Sequence, residues 1–440
     1  MRLFAIITFL FVSNISKAYD FEIDGIYYNE TWKGKNCVEV TSAYNGCYDG
    51  DIVIPDNVSY KGKTYSVISI GSSAFCACKI KSVSIPNSVV EIESFAFSGC
   101  DSLVSIVIPD NVKTLGPQSL RCKNLKSVTL GRCLETIGFG AFAGCEKLEK
   151  IIIPDNVTSL ESLAFSSCSS LKSVVLGTGI TSIPFMGFEN CISLSSIEIP
   201  DNIQSIGIQA FFGCKNLERI SFGTGLVSIN EYAFYDCKLI ELHLPKNLKH
   251  IDENAFYSSS PIYRLSVDVE NPMFDSREGC NAVINTATNT LVMGCTNTTI
   301  PQDVVAIGNN AFKGRNNLHK LIIPEGIQNI GENAFEGCDS LNNIVCLAPI
   351  PPTCEANTFS NIYKHCILQV PEEYIETYKS TMYWRSFFNI ISTDINIFKY
   401  NNDKIQRILY GTNGILQRKP NKGINIIRKD NNRYIKTFTK

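Results

Sequence analysis

The fold class predicted for this chain of 440 residues is a mainly β solenoid: coils stacked in one direction, a parallel β-sheet on the concave face, short helical turns on the far wall, and N- and C-terminal caps. Three observations predict it. A motif recurs, clearest from Leu148 to Cys168 as LEKIIIPDNVTSLESLAFSSC, with the form L-x-x-I-x-I-P-D-N-x-x-x-[LI]-x-x-x-A-F-x-x-C. Its anchor residue falls at Phe75, Phe97, Leu120, Phe142, Phe165, Phe188, Phe211, Phe234, Phe256, Phe312, Phe335 and Phe359, in steps of 22 to 24 residues with one of 56. The head of each copy alternates apolar and polar residues, the period of a half-buried strand.

A period in the twenties headed by L-x-x-L-x-L is the mark of a leucine-rich-repeat solenoid, in which each coil buries its apolar edge only by stacking on its neighbours. Length therefore does not count domains here. The composition, 44% hydrophobic and 19% charged, is that of a chain able to order itself by burial.

Residues 1–18, MRLFAIITFLFVSNISKA, have a charged start at Arg2, an apolar run from Leu3 to Val12 and small residues at Ser16 and Ala18. This is the layout of a secretory signal peptide cut after Ala18. The run is too short to cross a bilayer, and no later stretch is apolar for long enough. The mature protein is expected outside the cell or on its surface, with no transmembrane span.

Residues 19–66 lack the repeat. Their short alternating runs, broken at Asp24-Gly25, Lys33-Gly34 and Lys61-Gly62, read as hairpins covering the open side of the first coil. Cys37 and Cys47 are expected to pair there. Repeats then run over 67–347. In most of them a strand ends at proline, which has no N–H for a ladder. A turn column follows, held by Asn57, Asn111, Asn156, Asn202 and Asn247, with Ser88, Cys133, Gly179, Gly225, Asp303 and Gly326 as stand-ins.

Cys78, Cys100, Cys145, Cys168, Cys191, Cys214, Cys237 and Cys338 each follow an anchor by three residues, Cys122 follows Leu120 by two, and Cys133 fills the turn column. Ten of the 18 cysteines thus belong to the repeat. They are expected to be buried free thiols, because stacked side chains point the same way and cysteine serves interiors as a small apolar residue.

The long step places an enlarged coil at 257–307. Two strand-like runs, Ala282 to Ile284 and Thr290 to Met293, flank the turn-prone Asn285 to Asn289. An inserted hairpin fits, bracketed by Cys280 and Cys295 as a second expected disulfide. Residues 348–392 read as the C-terminal cap, with Val370-Pro371-Glu372-Glu373 at a helix start and Tyr374, Tyr378, Trp384 and Phe387 covering the last coil.

Residues 393–440 carry eleven Lys or Arg against Asp394, Asp403 and Asp430. They read as a small basic β tail, a candidate segment for secretion machinery. A charge split of this kind is one signature of nucleic-acid binding. The outbound leader argues against it, and no nucleic-acid partner is expected.

Catalytic signatures are missing from the sequence. His243, His250, His319 and His365 lie in no H-E-x-x-H, and there is no C-x-x-C, G-x-S-x-G or P-loop. Gly138, Gly140 and Gly144 belong to the repeat. No catalytic, cofactor or metal residues are expected.

What the repeat exposes is a row of outward positions, two per strand. These are Ser82 and Ser84, Ser105 and Val107, Ser127 and Thr129, Lys150 and Ile152, Ser173 and Val175, Ser196 and Glu198, Arg219 and Ser221, Glu241 and His243, Arg264 and Ser266, Lys320 and Ile322, then Asn343 and Val345. Concave solenoid sheets are binding surfaces. Among these, Glu198, Arg219, Glu241, His243 and Arg264 form the candidate ligand-binding patch. The expected function is adhesion or recognition of a host or bacterial protein or glycan. A structural component of the cell envelope that assembles through its ends is the alternative.

The phrase I-x-x-I-G-x-x-A-F-x-G-C, seen around Ile137-Gly138 to Cys145 and Ile330-Gly331 to Cys338, resembles the BspA-like, Treponema-type leucine-rich repeat of bacterial surface proteins common in Bacteroidetes. The cap phrase DFEIDGIYYN, the insertion CNAVINTATNTLVMGCTNTTIP and the ending VPEEYIETY also resemble segments of such proteins. The tail is similar to short C-terminal secretion-associated segments of the same phylum. The resemblance implies exported binding proteins, some of them adhesins for host matrix proteins or other bacteria. It supplies no catalytic set.

Overall fold

Strands of three residues with an inward-turned aliphatic at the centre are the building block of the molecule. The computed structural model describes residues 19–43, 46–259 and 261–393 and the strands Leu409–Tyr410, Gly423–Lys429 and Arg433–Thr439; the expected leader over 1–18 lies outside them. Two compact units divide the chain after Cys237.

In the first unit, Ser105–Val107, Ser127–Thr129, Lys150–Ile152 and Ser173–Val175 form one parallel sheet. Ser196–Ile199 pairs with Arg219–Phe222, and Asp49–Val53 with Lys79–Ser84, also in parallel. A second set of parallel strands, only two residues each, lines another wall: Glu91–Ile92, Thr114–Leu115, Thr136–Ile137 and Ser159–Leu160 continue from Lys63–Ile70. Between the walls lies a core of leucine, isoleucine, valine and phenylalanine.

The turn column works by alternation between neighbouring coils. Pro109-Asp110-Asn111, Pro154-Asp155-Asn156 and Pro200-Asp201-Asn202 are each followed one coil later by Gly131-Arg132, Gly177-Thr178 and Gly223-Thr224. The aspartate carboxylate reaches forward to accept a backbone N–H: Arg132 N to Asp110 Oδ1 at 3.0 Å, Thr178 N to Asp155 Oδ1 at 2.9 Å, Thr224 N to Asp201 Oδ1 at 2.6 Å. The asparagine amide reaches back, from Asn111 Nδ2 to Asn87 O and from Asn156 Nδ2 to Arg132 O, both 2.8 Å. Glycine follows from the closeness of this approach. A Cβ at Gly131 would stand 2.1 Å from the Pro109 carbonyl oxygen, and one at Gly177 2.4 Å from that of Pro154.

On the far wall the short helical turns are single i to i+3 bends, such as Cys145 N to Phe142 O at 3.1 Å, set between residues with positive φ such as Leu163 and Ser167. Here the anchor rings stack. Phe142 and Phe165 lie 5.2 Å apart, Phe165 and Phe188 5.4 Å, Phe188 and Phe211 5.5 Å, with planes within 7°. Beside the rings runs a column of thiols. Each S–H donates to the anchor carbonyl one coil back: Cys100 to Phe75 at 2.9 Å, Cys145 to Leu120 at 3.0 Å, Cys191 to Phe165 at 3.3 Å, Cys214 to Phe188 at 3.1 Å. Cys100, Cys122, Cys145, Cys168, Cys191, Cys214, Cys237 and Cys338 are buried free thiols. Cys133 is free but exposed, because its turn column faces solvent.

The N-terminal residues close the ring stack. Tyr48 stands 4.7 Å from Phe75, and its hydroxyl donates to Thr41 O at 2.7 Å. That placement corrects the first expected disulfide: Cys47, next to Tyr48, is bonded to Cys78 across a Cα–Cα distance of 5.2 Å. Cys37 is a free thiol at the start of the strand Cys37–Thr41, with Sγ 3.7 Å from Lys35 O.

The second unit repeats the plan. Glu241–Leu244 pairs with Arg264–Val267, and Lys320–Ile323, Asn343–Cys346, Ile367–Val370 and Asn389–Ser392 make a parallel sheet. The hairpin Ala282–Asn285 and Thr290–Gly294 is antiparallel, and its second strand pairs in parallel with Ala306–Ile307. The hairpin is thus woven into the wall. Cys280 and Cys295 are not joined, which corrects the second expected disulfide. Both are buried free thiols, and each turns to its own carbonyl, Ala282 O at 3.7 Å and Asn281 O at 3.2 Å.

Arg315 takes the place of a column thiol beside this insertion. Its buried guanidinium donates to Gly294 O at 3.0 Å, Phe256 O at 3.1 Å and Ser259 O at 2.8 Å. A long donor spans the wider gap that one sulfur could not. The rings Phe312, Phe335 and Phe359 stack at 5.5 and 5.4 Å and end against Trp384, 4.9 Å from Phe359. Trp384 Nε1 donates to Pro352 O at 2.8 Å, and the Tyr378 hydroxyl to Ala348 O at 2.8 Å. The helix Ile375–Ser380 carries Tyr378 into the core. In the tail, Gly423–Lys429 pairs antiparallel with Leu409–Tyr410 and with Arg433–Thr439.

Candidate functional site

Parallel register turns the outward positions of the first unit into rows. Ser127 lies opposite Ser105 and Lys150, and Lys150 opposite Ser173, giving a row of small hydroxyls with one ammonium. Thr129 lies opposite Val107 and Ile152 opposite Val175, a second row two residues further along each strand. Adjacent strands are about 4.8 Å apart, so each row is a tight ladder. Val107 is 63% exposed, Ile152 52% and Val175 49%. Three of the four side chains in this row are exposed aliphatics, Ile152 and Val175 side by side and Val107 set off from them by the exposed Thr129, which is a different matter from aliphatics scattered singly. Beside it, Lys172 and Glu149 pair at 3.3 Å, an exposed contact that adds little stability.

The structure divides the candidate patch. In the first unit Glu198 and Arg219 stand on adjacent strands, Glu198 opposite Ser221 and Arg219 opposite Ser196, so they are diagonal neighbours. In the second unit Glu241 lies directly opposite Arg264, and His243 opposite Ser266 with Nδ1 2.9 Å from the serine Oγ. All five are exposed. Among the described residues no ion pair joins Glu241 to Arg264, so both charges remain available to a partner.

The exposed strip was visible in the sequence only as three outward aliphatics among many positions. Charge is conspicuous in a sequence, whereas an aliphatic becomes informative once its exposure is known. In the second unit a cleft of about 540 Å³ is lined by residues including Asn309, Glu332, Thr353, Glu355 and Asn357. Glu332 already accepts the Asn357 amide at 2.7 Å. Among the described residues no group of three or more His, Cys, Asp or Glu is arranged to hold a metal ion, and no helix is long and apolar enough to cross a membrane. Trp384 and Tyr378 are fully buried, so the cap aromatics form a core and not a sugar-stacking platform.

No protein of curated function matches the chain at a significant level. Among solved structures, a leucine-rich repeat protein from Bacteroides ovatus is 30% identical, with a TM-score of 0.65, covering 82% of this chain and 97% of that one. A leucine rich cell surface protein from Faecalibacterium prausnitzii is 22% identical over 86% of this chain and 95% of that one, with a TM-score of 0.47. The T. pallidum leucine rich repeat protein is 27% identical over 44% of this chain and 87% of its own, with a TM-score of 0.38. The family model for the BspA type leucine rich repeat region matches residues 41–172, 135–263 and 290–412. With its thiol and phenylalanine columns and its paired walls of short parallel strands, the chain belongs to the BspA-type leucine-rich-repeat family.

Proposed function

We propose that this is an exported, non-enzymatic recognition or adhesion protein that binds an extracellular protein or glycan through the outward face of its longer parallel strands. The observation that carries the reading is the mostly apolar exposed row Val107, Thr129, Ile152 and Val175 beside a row of serine hydroxyls and Lys150. A solvent-facing strip of this kind is stabilised by a partner that covers it. Within each unit separately, Glu198 and Arg219 on the sheet of the first, and Glu241, His243 and Arg264 on the sheet of the second, are the charges that would steer and orient a partner there. Export is supported by the composition of residues 1–18, and the basic tail is the segment offered to secretion machinery.

The test is capture by the full mature chain on an array of extracellular-matrix proteins and glycans. Reversing Glu241 and Arg264 together, as E241R with R264E, should slow association with the captured species and change its salt dependence. Unchanged kinetics at low salt would remove these two residues from the contact.

A further inference from the structure

The junction between the N-terminal region and the first coil holds three cysteines where one bond needs two. Cys47 is bonded to Cys78, while Cys76, two residues earlier on the same bend, is an exposed free thiol. Cys47 Sγ lies 3.9 Å from the carbonyl oxygen of Cys76, so the sulfur shared by any pairing sits against the residue that carries the spare thiol. Cys47 is exposed and Cys78 is buried. The only sulfur of the bond that an incoming thiol can approach is therefore that of Cys47.

We propose that Cys47, Cys76 and Cys78 form a thiol–disulfide exchange site in which Cys76 is the resolving thiol. In the internal step Cys76 gives up its S–H proton and its sulfur attacks Cys47 Sγ. The Cys47–Cys76 bond forms, the Cys47–Cys78 bond breaks, and Cys78 leaves and takes up a proton. No electron enters or leaves. When an external thiol has instead opened the bond at Cys47, Cys76 displaces it and restores the tie. Attack on Cys78 would close a strained ring across Cys76-Ala77-Cys78, so exchange runs through Cys47.

Two features favour a balanced exchange. The pairings close loops with sequence separations of 31 and 29 residues, so their chain-entropy terms are nearly equal. The backbone of the bend is held in place independently, by Cys76 N to Ser73 O at 3.1 Å, Ala77 N to Ser98 O at 2.7 Å and Cys78 N to Phe75 O at 3.0 Å. None of these three bonds involves a sulfur, so exchange between the two pairings breaks none of them. A freed Cys78 thiol falls three residues after Phe75, the place that free column thiols occupy in the following coils.

The experiment is disulfide mapping of the full chain by non-reducing digestion and mass spectrometry, after equilibration in a mixed reduced and oxidised glutathione buffer and acid quenching. The wild type should yield both Cys47–Cys76 and Cys47–Cys78 peptides, and Cys78→Ser should retain one disulfide, Cys47–Cys76. A wild-type map with Cys47–Cys78 alone and Cys76 fully alkylated overturns the proposal, whatever the variant does. So does a folded Cys78→Ser protein in which Cys47 and Cys76 are both alkylated.

Discussion

The thiol of Cys168 donates a hydrogen bond to the carbonyl oxygen of Phe142, 3.2 Å away and one coil back. Repeated along the wall, this contact couples each coil to its predecessor through a side chain, while Phe142 N reaches forward to Ala164 O at 2.9 Å. Thiol reagents should therefore distinguish two classes of cysteine. At neutral pH Cys76 and Cys133 are expected to react within minutes, and the buried column, Cys100 to Cys237, only on unfolding. Mass mapping of alkylated native protein checks this, and rapid labelling of several column thiols would contradict it.

Burial also links the thiols to pH. Cys214 and Cys338 are each pushed from 9.0 up to about 12, by desolvation first of all. The folded state then holds protons that the unfolded chain releases, so stability is complete below pH 9 and falls as pH rises toward 12. Each such thiol contributes a slope of about 1.4 kcal/mol per pH unit in that window. Cys214→Ala should lower the slope of unfolding free energy against pH by about one thiol's worth. An unchanged slope would mean that Cys214 ionises as freely in the fold as out of it.

The ring stack carries the larger energy. Phe165 is fully buried, with Phe142 and Phe188 on its two faces. Phe165→Ala should cost about 3–5 kcal/mol. Phe139 stands on the same wall but is 42% exposed, and Phe139→Ala should change stability by only about 0.5 kcal/mol. Denaturant titration of both variants separates packing in the stack from general apolar content. Equal losses would contradict the stacked assignment.

At the insertion, Arg315→Met removes a donor from three carbonyls at once and should cost about 2–4 kcal/mol. The loss should be local. Hydrogen exchange should accelerate over the strands Ala282–Asn285 and Thr290–Gly294 before the sheet from Lys320 onward is affected.

The repeat was legible because its information is local. Strands such as Ser105–Val107 and Lys150–Ile152 follow from alternation within six residues, and the buried thiols from their fixed offset to an anchor. Features that depend on contacts between non-equivalent segments were not legible. Cys47 lies outside the repeat, and only the position of Tyr48 against Phe75 brings it to Cys78. Cys280 and Cys295 bracket a hairpin in the sequence, yet each thiol turns to a separate carbonyl. Arg315 reads as one more charged residue until the insertion is seen to leave three carbonyls within its reach. The alternation of Asp-Asn and Gly turns was present in the sequence, but its cause is the 2.1 Å approach of a Cβ at Gly131 to the Pro109 carbonyl.

The role of the sheet face is tested most directly by equilibrium binding of a Val107→Lys, Ile152→Lys, Val175→Lys triple variant to whichever matrix protein or glycan the wild-type chain captures. Outward positions on the strands tolerate charge, so circular dichroism and melting should match the wild type while affinity falls at least about tenfold, as expected for losing about 1.4 kcal/mol or more of contact energy. Wild-type affinity in the folded variant would contradict the assignment of this face as the recognition surface.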